Sequence, residues 1–239
     1  VVHMASAAAA LACAHALGPR LDSGLSSEGP HNLPMTLIGC GLLWLGWFGF
    51  NAGSALAANG LAAHAFATTH VATAFGICGW ILVEWLRTGK PTSLGAASGA
   101  LAGLVAITPA AGFVSLGAAA IMGFVGGMCC YGGIMLKTRF GYDDALDVVG
   151  IHGVGGTIGA LLTGIFARAE FNNVDGLLAG NPAQFGYQAV SVVATWVFVY
   201  VVSRILLGIV NALVGLRVTA DEEISGLDLN EHNERGYNY

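Results

Sequence analysis

Between Glu28 and Glu84 the chain carries no aspartate, glutamate, lysine or arginine, and between Lys90 and Lys137 there is again none. A helix on the surface of a soluble domain must show one polar face, which runs of this length and composition cannot supply. Membrane spans of about 20 apolar residues fit them. Charged residues make up 10% of the chain and apolar ones 55%, whereas an ordinary globular domain has roughly 25% charged residues. The chain is therefore expected to be an all-α polytopic membrane protein lying in a lipid bilayer. Its net charge of −5 argues against a nucleic-acid partner, and the acidity sits mostly in the C-terminal tail.

The pattern predicts seven spans, at 2–17, 33–55, 62–85, 94–107, 115–136, 146–167 and 185–216. A polar loop, 21–31, follows the first. Thr108-Pro109 closes the fourth, since proline cannot continue a helix. Arg20, Arg87 with Lys90, Lys137 with Arg139, and Arg217 fall in alternate connections and at the tail. Basic loops stay on the cytoplasmic side, so the first residue is expected outside and the tail inside. The chain opens on Val1-Val2-His3, directly in apolar sequence and with no basic leader. It reads as the continuation of a longer protein. Gly95, Gly99 and Gly103, Gly123 with Gly127, and Gly155 with Gly159 recur every four residues. Small residues at this spacing let helix backbones approach in lipid. The five cysteines lie in apolar stretches without metal-ligand spacing and read as packing residues.

The chemistry concentrates in the stretch from Asp143 to Thr157. Three acids, Asp143, Asp144 and Asp147, run into a glycine-dense apolar segment that carries His152. A carboxylate suits a helix start, where unpaired N–H groups and the dipole favour negative charge, and Asp147 is placed there. An ionisable side chain at membrane depth faces a pathway or a partner by default. Gly150, Gly153, Gly155 and Gly156 around His152 leave space and approachable backbone, which sets a pore-lining role level with structural packing. His3 sits in a similar apolar stretch. On the second span Trp47, Phe50 and Ser54 are three and four residues apart, hence on one helix face, offering two π-surfaces and a hydroxyl to a small cation. Thr69-His70 reads as a polar contact between helices. Neither His3 nor His152 has a cysteine or carboxylate ligand beside it, so the chain is expected to be no enzyme and to bind no cofactor or metal.

Taken in order, these residues resemble one family. The matching stretches are Val1-Val2-His3, Gly46 to Ser54, Leu101 to Val105 leading to Thr108-Pro109, Asp143-Asp144 to Gly156, Val214 to Val218 and Gly226-Leu227-Asp228. They resemble the ammonium transporter (Amt/Mep/Rh) family on its bacterial Amt side. The resemblance implies an eleven-span fold of two inverted five-helix repeats plus a long last helix. Residues 1–217 would supply spans five to eleven and 218–239 a cytoplasmic regulatory tail. It implies homotrimers in the inner (plasma) membrane, each subunit with its own hydrophobic pore for ammonium. By this resemblance His3 and His152 are twin histidines sharing a hydrogen bond across the pore. Phe50 is a gating ring, Ser54 belongs to the outer recruitment site, and Trp47, Leu43 and Val148 line the pore. Asp147 is the acid near the inner entrance. The other gating phenylalanine, a recruitment-site tryptophan and a further acid would lie upstream of Val1. In the tail, Gly226, Leu227 and Asp228 match a regulatory motif, and the family commonly binds PII-type signalling proteins at its cytoplasmic face. An ammonium sensor acting through that tail is the alternative reading.

Overall fold

The computed structural model describes residues 1–23 and 29–237. Part of the polar loop 21–31 and the last two residues of the tail lie outside the described residues. The seven expected spans are present as apolar helices: α1 (Val2–Leu17), α2 (Leu33–Asn51), α3 (Gly60–Thr88), α4 (Ser93–Ile107), α5 (Leu116–Phe140), α6 (Val154–Phe166) and, after the four-residue α7 (Ala169–Asn172), α8 (Pro182–Val214). Five of these segments are long and apolar enough to cross a membrane, while α1 and α4 are shorter apolar helices. Two small helices close the described chain, α9 (Ala220–Ser225) and α10 (Leu227–His232).

Local chemistry sets the helix starts. Side-chain oxygens of Asn32, Asn59, Thr92 and Ser115 accept the N–H of Met35, Ala62, Gly95 and Ala118. Each satisfies one of the donors that a helix start leaves unpaired. Helices α3 and α5 end on Gly89 and Gly141 in the left-handed conformation, at φ 79° and 69°, the usual helix stop.

Two expected spans are built differently. The second ends as a helix at Asn51, and Ser54 follows in a 3-10 turn, Gly53–Ala55. The sixth does not start at residue 146: Asp147 has φ 56°, which breaks the helix there. The span instead opens with a π-helical turn, Val149–Gly153, before α6. Its first donors, the N–H groups of Val148 and Val149, go to the two carboxylate oxygens of buried Asp144 at 3.0 and 2.8 Å. The helix-start carboxylate is thus Asp144, not Asp147, whose side chain is taken by Lys137.

Helix α3 is the middle of one half of the bundle and packs on α4 and α5; α1 and α6 pack on α8. Most of the expected glycines lie where backbones meet, while Gly95 faces the Glu84 carboxyl and Gly155 the Cys130 and Val105 side chains. Gly99 and Gly103 of α4 face Gly76, Thr73 and Ala72 of α3, and Gly123 and Gly127 of α5 face Ala72 and Gly76. Thr69 makes the expected contact between helices, accepting a 3.0 Å hydrogen bond from Asn51 of α2. Trp196 of α8 donates to Thr157 of α6 at 3.0 Å. By contrast α8 turns Val190, Val193, Val197 and Val201 outward, the surface that a lipid environment accepts.

At the end of the bundle that carries the basic loops, charged groups tie the pieces together. Arg20 grips Asp143 with its backbone N–H and two guanidinium nitrogens, at 2.9, 2.8 and 3.0 Å. Arg217 donates to the Leu17 carbonyl at 2.9 Å and to Glu223 of α9 at 2.9 Å, and Glu223 also accepts the Leu21 N–H at 2.8 Å. The Thr219 and Glu222 capping box starts α9. Helix α9 is therefore docked on the end of α1, one residue from the Arg20–Asp143 clamp.

The hydrogen bond from the Arg20 side chain holds the Asp143 carboxyl below the usual carboxylate range. A carboxyl lowered on folding adds stability above its unfolded pKa of about 3.9 and loses it as pH falls through the folded value. Wild type is therefore expected to outlast Asp143→Asn at pH 6, and the gap to close below about pH 4. Thermal unfolding in detergent across that range checks it; a gap unchanged at acid pH would separate the clamp from Asp143 ionisation.

Candidate functional site

The π-helical turn carries His152 and packs against α5 and α1. Close approach on both sides depends on absent side chains. A Cβ at Gly133 of α5 would lie 2.8 Å from the Gly150 carbonyl, and one at Gly156 would lie 3.0 Å from the Cβ of His3. Buried Cys130 of α5 donates through its Sγ to the carbonyl of Ile151 at 3.5 Å, a partner inside a turn whose backbone pattern is irregular.

These contacts bring His3 and His152, 149 positions apart in sequence, to a ring-to-ring hydrogen bond, Nδ1 to Nδ1, of 3.1 Å. One ring must donate and the other accept, so one carries its proton on Nδ1 and the other does not. His3 is buried, and its Nε2 has no hydrogen-bond partner among the described residues. The ring of His3 stacks on Trp47, with centroids 5.3 Å apart and planes 12° apart, and meets the edge of Phe50 at 5.9 Å. Trp47 and Phe50 touch edge to face at 5.6 Å.

The remaining residues form a row along α2. Phe50 is partly exposed. Beyond it the Ser54 hydroxyl donates to the Phe50 carbonyl at 2.6 Å. With its hydrogen committed, the Ser54 oxygen has only lone pairs left to offer, which suits a ligand that donates. In the other direction Leu43 lines a cavity of about 990 Å³ at the charged end, with Leu101, Ile151, Lys137 and Asp147. Val148 is half-buried where the π-helical turn begins. The structure thus places His3, His152, Trp47 and Phe50 in contact, with Ser54 at one end of the row and Leu43 at the other. Asp147 stands apart from the histidines, paired with Lys137 at the cavity. Gly226 joins α9 to α10 at φ 100°, Leu227 is exposed, and Asp228 accepts the Leu229 N–H at 3.0 Å.

Two groups escaped the sequence reading. Asp144 looked like one acid of a cluster, and Thr108 looked like a helix stop. Thr108 does end α4, but its hydroxyl also accepts the Trp47 Nε1–H at 2.9 Å. The hydroxyl beside Pro109 was the only available signal.

The helices define a multi-pass α-helical membrane protein with the fold of solved ammonium transporters. Saccharomyces cerevisiae Mep2 superposes with a TM-score of 0.86 at 38% identity, over 92% of this chain and 52% of that one. A structure named "Sensor Amt Protein" superposes with a TM-score of 0.87 at 29% identity, over 96% of this chain and 58% of that one. The sequence profile of the Ammonium Transporter Family matches residues 1–237, and the chain belongs to that family. It is 52% identical to the ammonium transporter of Bacillus subtilis, over 99% of this chain and 59% of that protein. It is likewise 52% identical to a putative ammonium transporter of Methanothermobacter thermautotrophicus, over 99% of this chain and 58% of that protein. The chain thus spans less than two thirds of the length of the relatives it matches.

Proposed function

We propose that this chain supplies the twin-histidine half of an ammonium transporter's pore. The observation that carries the reading is the 3.1 Å contact between His3 and His152 beside the stacked Trp47 ring. Ammonium is recruited by the Phe50 and Trp47 faces and by the lone pairs of Ser54. A permanent cation is costly in an apolar pore; splitting NH4+ into NH3 and a proton removes that cost. NH3 then passes the row toward Leu43 and Val148. The proton adds to the Nε2 of one ring, the shared proton crosses between the Nδ1 atoms, and the Nε2 of the other ring releases its own. Proton count is conserved and the rings exchange donor and acceptor roles. K+ has no proton to give up and is refused. Asp147 stands at the inner mouth.

In this reading residues 1–217 form the membrane part of a homotrimer in the inner (plasma) membrane. Residues 218–239 are a cytoplasmic regulatory tail whose Gly226-Leu227-Asp228 element faces a PII-type partner. The docking of Glu223 beside the Arg20–Asp143 clamp supports a tail that senses the inner mouth. That contact, with the likeness to the "Sensor Amt Protein", favours ammonium sensing as a second reading. The test is current from the full-length protein in proteoliposomes on a supported membrane, with ammonium and K+ pulses. An ammonium current without a K+ current is expected. No current with ammonium binding intact would point to the sensor or to electroneutral NH3 passage. Deleting 218–239 is expected to keep the current if the tail only signals, and to lose it if the tail gates.

A further inference from the structure

We propose that Thr108 is a positioning residue for the pore, fixing the plane of the Trp47 indole and through it the seat of the His3 ring. The inference rests on the pore reading above. Trp47 is buried in an apolar cluster with Leu104, Val105 and Ile151, and its Nε1–H is the side chain's one polar group. Apolar walls fix the shape of the slot but distinguish poorly between the two edges of an indole. The hydrogen bond to Thr108 does distinguish them, because the opposite orientation would bury the N–H without a partner.

The acceptor is itself fixed. The Thr108 hydroxyl donates to the Leu104 carbonyl at 2.7 Å, one turn back. With that hydrogen engaged, the oxygen presents lone pairs to the indole at 2.9 Å. The Thr108 backbone keeps helical angles, φ −48° and ψ −46°, and its N–H also reaches the Leu104 carbonyl at 3.2 Å. Helix α4 thus ends in a rigid acceptor that crosses to α2. On its other side the indole lies at 12° to the His3 ring, whose Nδ1 meets that of His152. A tilt of Trp47 is passed to the hydrogen bond between the histidines.

The test uses the full-length protein in proteoliposomes, with Thr108→Val, Thr108→Ser, Trp47→Phe and the Thr108→Val/Trp47→Phe double variant. Valine keeps the size of the side chain and removes the acceptor. The expected result is a maximal ammonium current lowered roughly fivefold to tenfold in Thr108→Val, the effect of one lost buried hydrogen bond. KM should change less than twofold, and serine should restore the rate. In the Trp47→Phe background the valine should add nothing, as expected of two groups that act through one bond. The indole N–H band in ultraviolet resonance Raman, isolated by subtracting the Trp47→Phe spectrum, should shift in Thr108→Val and not in Thr108→Ser. A normal rate in Thr108→Val, a loss that serine does not restore, or an unshifted band would overturn the proposal. His152→Ala run in parallel separates the two levels: normal current from that variant overturns the pore reading itself, whereas a defective His152→Ala beside a normal Thr108→Val overturns only the role of Thr108.

Discussion

His152→Ala in the full-length protein is expected to lower the ammonium current roughly a hundredfold, the low end for losing a positioned acid–base group, and to admit a K+ current. Removing the imidazole deletes the partner of His3 Nδ1 and leaves two buried nitrogens of His3 unpaired. Among the described residues no other imidazole is placed to take the proton from Nδ1. The space opened beside His3 is polar enough to admit water, and a wetted pore no longer demands that a cation shed its proton. The fold should survive, because His152 is half-buried and its turn is anchored by other groups. Asp144 holds the first two N–H groups and Cys130 meets the Ile151 carbonyl. His3→Ala should lose more, since it also removes the surface on which Trp47 stacks. Currents are read beside size-exclusion profiles in detergent. Wild-type current with K+ still excluded, from both variants, would end the proton-relay reading.

What was legible in the sequence follows from the physics of each feature. Charge-free runs and glycines four apart report burial in lipid and close helix contact, and both act locally along the chain. They led to the seven helices and to the α3, α4 and α5 faces that the structure brings together. The Trp47, Phe50 and Ser54 row was also nearly legible, because a helix periodicity places those residues on one side. Ser54 left the helix only because the chain tightens after Asn51. The pairing of His3 with His152 is different. Nothing in their local stretches says which of the chain's histidines meet, and only resemblance to a family linked them. The choice of Asp144 over Asp147 as the helix-start acceptor hinges on a left-handed backbone at Asp147 and on Lys137 from α5. Those are tertiary facts that three neighbouring acids do not encode. Thr108 was hidden for a related reason: a threonine that bonds back to its own helix looks complete until another helix presents an N–H.

Gly79→Ala is expected to destabilise the bundle by about 3 kcal/mol or more, at the upper end of overpacking costs. A Cβ built on Gly79 of α3 would overlap the backbone carbonyl of Phe124 on α5. A flexible side chain can swing away, but a carbonyl in the middle of a helix moves only if the helix does. Helix α3 has no slack to retreat into, because its neighbouring Gly76 already meets the Gly103 backbone of α4, where a Cβ would come within 2.6 Å of the Gly103 Cα. In lipid the helices gain no hydrophobic drive to re-close the gap, and dispersion contacts fall off steeply once surfaces part. The control is Gly132→Ala on α5, where a Cβ meets nothing within 4 Å. That change should be neutral, or stabilising by up to about 1 kcal/mol through helix propensity. Thermal unfolding in detergent compares the two variants, and equal melting points would show that glycine contact does not set the distance between α3 and α5. The distance matters beyond stability. Helix α5 also presents Gly133 to the carbonyl of Gly150 in the turn that carries His152. A push from Gly79 on one face of α5 therefore reaches the histidine pair on the other, and any Gly79→Ala protein that still folds should show a weakened ammonium current.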